Sequence, residues 1–525
     1  MLRALGLCAP VLLVATTAFA APPQPRAEAP AIARGVQYLK AHTEQGQAGE
    51  AALVLLALIK ADVPASDPAV VATLGTIRKR FRGGTYTPER SGGLEIYEAA
   101  VIAMALANLD PAAFKAEIAA AVQYLITKQK TNGAWDYEVR AQMDTGDTSI
   151  SQYAILGLWE AENAGVEVPP KVWDRAARWF LSVQSPQGSW NYHRDEVGRY
   201  PETISMTAAG VGSLLICQRQ LEQYRKTVVH PLLTPLVPEQ RVVTYTPETS
   251  NTRIDRAVKS GIAWIARYFG LGANSAIGQS PYYGLYGLER VGALADKDAF
   301  GNVNWFQQGL NFIRSTQQPS GGWNAQHGDV PNTAWAVLFL TRSTAQSIKK
   351  FEIKRLGAGT LLGGRGLPKD LSSLTIAGGR VVVRPMNGAI DSMIDVLEDP
   401  RALNADSALA GLVNRYHAQG PKVLRPYKDR FRKLLNDRDP GVRRVAAWAL
   451  GRTGDLDVAP ALITALADPD DAVVGEARTG LQLLSRKLDG YGPPPGATED
   501  QRKEAVAKWR AWYQSVRSPD LADLD

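Results

Sequence analysis

The stretches "QKTNGAW" (Gln129 to Trp135), "QSPQGSW" (Gln184 to Trp190) and "QQPSGGW" (Gln317 to Trp323) all fit Q-x-x-x-G-x-W. Repetition at intervals of tens of residues decides an architecture, because each copy marks one structural unit stacked on the next. These copies therefore come before any single helix in the reading.

Each copy closes an amphipathic segment: "FKAEIAAAVQYLITKQ", "KVWDRAARWFLSVQ" and "NVNWFQQGLNFIRSTQ". Each is followed by a more apolar one: "SQYAILGLWEA", "ISMTAAGVGSLLIC" and "NTAWAVLFLTRS". A helix charged on one face belongs outside, and a helix apolar nearly all round belongs inside. The unit is thus an outer helix followed by an inner one. Less regular pairs read at 31–42 with 46–61, 68–81 with 93–109 and 251–268 with 280–294, giving six pairs between about 31 and 345. Six pairs can close an α/α toroid, and the fold class is all-α. Gln184 lies 55 residues after Gln129, but Gln317 lies 133 after Gln184. The excess is "HPLLTPLVPEQRVVTYTPETSN", predicted as a Pro-rich loop over one end of the toroid, with a short strand at "RVVTYT".

Beyond the pairs, "LGAGTLLGGRGLPKDLSSL" reads as a linker, and "LTIAGGRVVVRP" as a small hairpin turning at Gly378-Gly379. Next, "NDRDPGVRRVAAWALG" and "ADPDDAVVGEARTGLQ" align with a constant offset of 31 residues, Asp437 on Asp468 and Val442 on Val473. "VLEDPRALNADSALAGL" reads as a divergent earlier copy. After "GYGPPPGATEDQ", Thr498 and Gln501 fit a capping box opening the last helix, whose Trp509 and Tyr513 are placed to pack on the array. The expected organisation is 21–345 toroid, 346–395 linker with hairpin, 396–490 repeat array and 491–525 C-terminal helix.

At the other end, "MLRALGLCAPVLLVATTAFA" places Arg3 before a short apolar run ending in Ala18-Phe19-Ala20, the pattern of a secretory signal peptide over residues 1–20. No later run is apolar and long enough to span a bilayer, so the mature chain is expected to be soluble and periplasmic or secreted. Removing Cys8 with the leader leaves Cys217 alone, which excludes an intramolecular disulfide and a Cys-based zinc site. A net charge of +7 without a long basic run gives no basis for nucleic-acid binding. No Walker loop, Rossmann glycine cluster, G-x-S-x-G elbow or thioester G-C-G-E-Q occurs.

The signature on helix pairs resembles the repeat of squalene and oxidosqualene cyclases and of protein prenyltransferase β-subunits, over roughly residues 30–345. More closely, "GDTSISQYAILGLWEA", "SPYYGLYGLERVGAL" and "NTAWAVLFLTRS" resemble uncharacterised exported bacterial proteins carrying this repeat. The resemblance implies an (α/α)6 toroid of the terpenoid cyclase/prenyltransferase type. The 31-residue array resembles HEAT repeats, which implies a concave face for a partner.

In class II terpene cyclases an inner helix begins D-x-D-D-T-A, and the middle acid protonates the substrate. This chain has "DTGDTS" there: Asp144 and Asp147 match the outer acids, while Gly146 replaces the donor. Counting from the tryptophans instead places Asp147-Thr148, Glu202-Thr203 and Asn332-Thr333 in one slot at an inner-helix start, where unpaired amides favour polar side chains as caps. Ser149 and Gln152 fit a capping box at the same boundary. The signature residues Gln129, Gly133, Trp135, Gln184, Gly188, Trp190, Gln317, Gly321 and Trp323 read as structural joints. The loops "DYEVRAQMDTG", "NYHRDEVGRYP" and "NAQHGDVP" are expected to share one mouth of the toroid. They would bring Asp136, Glu138, Asp144, His193, Asp195, His327 and Asp329 toward a cavity, a set suited to acid–base work or to a metal ion, against which stands a rim that is polar only because it meets solvent.

Three functions follow in order: an exported binding or scaffold protein for a protein partner or an apolar ligand; a cyclase-like enzyme acting on an isoprenoid; and a carbohydrate-active enzyme with carboxylates at the mouth. No cofactor and no metal are expected. The loss of the donor at Gly146 weighs against catalysis.

Overall fold

The computed structural model describes residues 27–516 except 44–45, 90–92, 197, 223, 225–244, 272–275, 358–373, 378–379, 384–385, 401, 403–404, 488–489 and 495. The expected signal peptide, most of the Pro-rich loop and the turn Gly378-Gly379 lie outside the described residues.

The described chain is mostly helical. Six outer helices are α1 (Ala29–Lys40), α3 (Pro68–Arg78), α5 (Lys115–Lys128), α7 (Pro170–Ser182), α9 (Asn251–Tyr268) and α11 (Trp305–Thr316). They alternate with α2 (Ala48–Lys60), α4 (Glu95–Leu109), α6 (Thr148–Asn163), α8 (Ile204–Glu222), α10 (Pro281–Leu294) and α12 (Asp329–Leu340). Periodicity explains the layering. In α5 only Ile118, Ala121, Val122 and Leu125 are buried, a single stripe at helical spacing. In α6 every residue from Thr148 to Ala161 is buried, so this helix has protein on all sides. The inner helices pack in sequence, α2 on α4, α4 on α6, α6 on α8, α8 on α10 and α10 on α12, and α12 packs back on α2. They form a closed ring.

Helix α13 (Ser343–Gly357) follows, on residues expected as linker from 346 onward, and packs against α10 and α12. The far ends of three inner helices hold its start. Glu289 of α10 accepts hydrogen bonds from the Thr344 and Ala345 amides at 3.2 Å each, and Lys60 of α2 donates to Ser347 Oγ at 2.6 Å and to the Ser343 carbonyl at 3.2 Å. Ser347 in turn donates to the Glu160 carboxylate of α6. Buried charges at these three positions explain why a polar, Ser- and Gln-bearing helix start sits there.

The same helix packs on α15 (Ala405–Gln419) and α17 (Pro440–Gly451) of a second core, which also holds α14 (Ile390–Glu398), α16 (Lys428–Leu434), α18 (Ala459–Ala465), α19 (Asp471–Ser485) and α20 (Glu499–Val516). The 31-residue repeat has a common turn: Asp437 accepts from the Asp439 amide and Asp468 from the Asp470 amide, each at 2.8 Å. Arg443 then grips Asp468 through two bonds, 2.8 and 2.9 Å, tying one copy to the next. At α20 the capping box forms reciprocally between Thr498 and Gln501, and Trp509 is fully buried in this core.

Among the described residues three two-stranded antiparallel hairpins interrupt the helices: β1 (Phe81–Arg82) with β2 (Thr85–Tyr86), β3 (Ala299–Phe300) with β4 (Val303–Asn304), and β5 (Leu374–Ala377) with β6 (Arg380–Val383). Tyr245 and Thr246 of "RVVTYT" are in no strand; the Tyr245 hydroxyl instead bonds Asp174 of α7 at 2.7 Å. No described helix is long and apolar enough to cross a membrane.

Candidate functional site

The three signature copies build one joint three times. Gln129 donates to the Gly133 carbonyl and to the Val172 carbonyl of α7, both at 3.0 Å. Gln184 does so to Gly188 and to Ala257 of α9, both at 2.9 Å, and Gln317 to Gly321 at 2.8 Å and Ala31 of α1 at 3.0 Å. Each indole N–H donates to the carbonyl ten residues earlier: Trp135 to Leu125, Trp190 to Phe180 and Trp323 to Ile313. The glycines take φ of +99°, +95° and +93°, and a Cβ on them would lie 2.1, 2.7 and 2.6 Å from a carbonyl oxygen of the next outer helix. Only glycine fits both constraints. The indoles serve the last turns of their own outer helices, while each glutamine amide ties its turn to the next outer helix.

The same joints set the register of the repeat. The backbone amides of Trp135, Trp190 and Trp323 donate to Ser151, Thr207 and Thr333 respectively. Four residues before these hydroxyls stand Asp147, Thr203 and Asp329. The slot expected at Asp147, Glu202 and Asn332 is therefore corrected: Thr203 supplies the cap of α8, accepting from Met206 N at 3.1 Å, and Asn332 lies inside α12. Loops of unequal length between tryptophan and inner helix shift the count.

Asp147 is the N-cap of α6. Its Oδ1 accepts from the Ile150 amide at 2.8 Å, its Oδ2 lies 3.2 Å from His193 Nε2, and the residue is 1% exposed. The helix start is clamped between both loops, since Asp147 N donates to the Trp135 carbonyl and Thr148 N to the Tyr192 carbonyl. Arg140 of the first loop also binds Glu196 of the second at 2.6 Å. Asp136 is buried beside them, accepting from Thr145 Oγ1 at 2.6 Å and from the Tyr137 amide, with Lys130 Nζ at 3.6 Å.

Burial pushes the Asp147 carboxyl up to about 7, the Asp136 charge adding to it against the pull of the Ile150 amide. Burial, and next the Arg140 guanidinium, lower His193. His193 Nδ1 meets the Gly146 carbonyl, able only to accept, at 3.2 Å and the Arg140 guanidinium, able only to donate, at 3.4 Å; the shorter contact favours a proton on Nδ1. The short Nε2–Oδ2 contact then requires one further proton shared between Asp147 and His193. Both carboxylate oxygens and both ring nitrogens are thereby engaged in holding the loop to the helix.

The donor position of the D-x-D-D pattern is sterically closed. A Cβ on Gly146 would lie 2.3 Å from the Ala134 Cβ and 2.6 Å from the Trp179 ring.

Inside the ring runs a chain of buried polar side chains that sequence reasoning missed. Tyr97 donates to Ser149 at 2.9 Å, Ser149 and Tyr283 share a bond of 2.7 Å, Gln152 donates to Tyr283, and Arg290 donates to Gln152 at 2.8 Å. The Arg290 guanidinium also stacks 4.7 Å over the Tyr286 ring. The expected Ser149–Gln152 capping box does not form, because α6 starts at Thr148 under an Asp147 cap and turns both residues inward. A signal was available: Glu289-Arg290 is a charged pair inside the otherwise apolar "PYYGLYGLERVGAL".

The structure thus unites Asp136, Asp147 and His193. Asp144 and Glu138 are exposed, the latter 3.7 Å from Lys128, and Glu202 is half-buried before α8. Asp195 lies on the short turn Arg194–Glu196, its side chain outside the described residues. His327 and Asp329 stand at the α10–α12 side of the rim, His327 2.8 Å from Ser280 Oγ and Asp329 3.4 Å from the Tyr38 hydroxyl. No group of three or more His, Cys, Asp or Glu among the described residues is arranged to hold a metal ion.

No curated protein matches the chain. HEAT repeats match residues 390–482, the span from α14 into α19. The C-terminal array is similar to HEAT repeats in sequence as well as in its stacked helix pairs.

Proposed function

We propose that this chain is a binding or scaffold protein that engages a protein partner through its HEAT array, exported by the leader at 1–20 to the periplasm or beyond. The helical ring is read as an (α/α)6 toroid of the terpenoid cyclase/prenyltransferase type. What carries the scaffold reading is the pairing of a HEAT array with a ring whose centre is crossed by Tyr97, Ser149, Tyr283, Gln152 and Arg290, hydrogen-bonded to one another. An isoprenoid chamber calls for open apolar walls, and a carboxylic acid strong enough to protonate an alkene has no room at position 146.

Mass spectrometry of the protein purified natively from its host, with solvent extraction, tests this. The expected result is no stoichiometric isoprenoid, together with a polypeptide that is lost when residues 386–516 are deleted. A stoichiometric isoprenoid overturns the scaffold reading in favour of a cyclase-like one.

A second reading, acid–base chemistry on a carbohydrate, draws on Asp136 and Asp147 sharing the mouth with His193. It requires that Asp147→Asn abolish a hydrolytic activity while the fold is retained.

A further inference from the structure

A cavity of about 240 Å³ opens beside the ring mouth, walled by Glu95, Tyr124, Lys128, Lys130, Asp136 and Glu138. Its charges do not balance. Lys130 donates to the Arg140 carbonyl at 2.8 Å and faces Asp136 at 3.6 Å, while Lys128 faces Glu138 at 3.7 Å and sits 5.6 Å over the Tyr124 ring. Two lysines thus answer two carboxylates. Glu95 is left over. It is 8% exposed, lines the cavity, and has no hydrogen-bond donor or cation among the described residues. As the first residue of α4 it sits where helix amides favour negative charge. Glu95 therefore brings to the cavity wall a carboxylate with no cation of its own among the described residues.

We propose that this cavity binds a small organic cation, whose ammonium group is received by Glu95 and whose carbon chain packs on the Tyr124 ring. Burial and then the charges of Glu95, Glu138 and Glu98 raise the Tyr124 phenol, so Tyr124 lines the cavity as a neutral ring. The volume suits a compact amine and is below the range of drug-sized sites. This site is separate from the partner-binding role and does not depend on it.

Titration calorimetry on the mature chain with n-butylammonium chloride tests the assignment, with n-butanol and sodium butyrate as the neutral and anionic counterparts. Saturable one-site binding of butylammonium alone is expected, weakened about tenfold or more by Glu95→Gln, as befits loss of a charge-assisted hydrogen bond. If that variant fails to fold, Glu138→Gln at the exposed edge decides, with an expected loss of about threefold from the weakened field alone. Absence of saturable binding, equal binding of butanol or butyrate, or an affinity untouched by the variant that folds overturns the proposal.

Discussion

Gln317, at the end of the sixth outer helix, donates its amide at 3.0 Å to the carbonyl of Ala31 in the first outer helix, 286 residues away. The equivalent bonds from Gln129 and Gln184 reach the next outer helix along the chain, so one side-chain type both propagates the ring and closes it. A glutamine is suited to this because its NH2 group has two protons for two carbonyls.

The donor character of Gln129 is therefore what the joint needs. Gln129→Leu strands two carbonyls and should cost about 1–3 kcal/mol. Gln129→Glu keeps the shape but turns a donor into a charged acceptor facing two carbonyl oxygens, and should cost more than the leucine variant. Guanidinium unfolding midpoints of the two variants at pH 8 decide: equal midpoints would mean that the amide only fills space.

Gly133 is constrained twice, by its φ of +99° and by the Arg175 carbonyl 2.1 Å from where a Cβ would stand. Gly165 has a similar φ of +91° and open space around it. Gly165→Ala should cost about 1–2 kcal/mol, the left-handed penalty alone, and Gly133→Ala about 1–3 kcal/mol beyond that for the clash. Similar losses for both would show that the loop moves aside.

How far the sequence reached can be judged at particular residues. All six helix pairs follow from periodicity, because burial on one stripe or on all sides writes itself into composition. Register did not follow, because counting from Trp190 or Trp323 cannot see loop length; only the bonds from those tryptophan amides to Thr207 and Thr333 show which residue opens the inner helix. The hairpin at Phe81–Tyr86 passed unread although Gly83-Gly84 is a strong two-residue turn signal. Of the mouth residues, Asp136, Asp147 and His193 were legible as polar loop positions. Arg140, which joins the two loops, was not, since its partner Glu196 is 56 residues away.

Asp147 supplies a pH signature. Its carboxyl ionises near 4 in an unfolded chain and near 7 in the folded one, so the folded state holds the extra proton between those values and stability falls as pH rises through that window. His193 works the other way: its folded-state value is lowered, and it removes stability as pH falls below about 6.5. Asp147→Asn keeps the cap and can donate to His193 Nε2, while deleting the first effect. The variant should gain on the wild type by a few kcal/mol between pH 4 and pH 8, at about 1.4 kcal/mol per pKa unit. Glu162, also pushed up to about 7 by burial, is common to both proteins and cancels in the difference. Parallel stability curves for the two proteins would rule out a raised Asp147.

A boundary at Ala345 looks natural from the sequence, where the toroid is expected to span 21–345. The structure makes that cut harmful in a specific way: it removes Ser347, through which Lys60 and Glu160 are joined, and Gln346, which donates to the Lys60 and Thr341 carbonyls at 3.1 and 2.8 Å. It also leaves Glu289 with only the ragged end of a helix to bind. Glu160 would lose the Ser347 hydroxyl, and Lys60 one of its acceptors while keeping the Ser343 carbonyl, a change that costs about 1–3 kcal/mol for a buried group left short of a hydrogen bond. A chain of residues 27–357 keeps α13 whole, at the expense of exposing Leu356 and the face that meets α15 and α17. Thermal unfolding followed by circular dichroism should therefore show the longer piece melting cooperatively and well above the shorter one. If the two melt together, α13 belongs energetically to the HEAT array, and the bonds from Lys60, Glu160 and Glu289 contribute nothing to the ring.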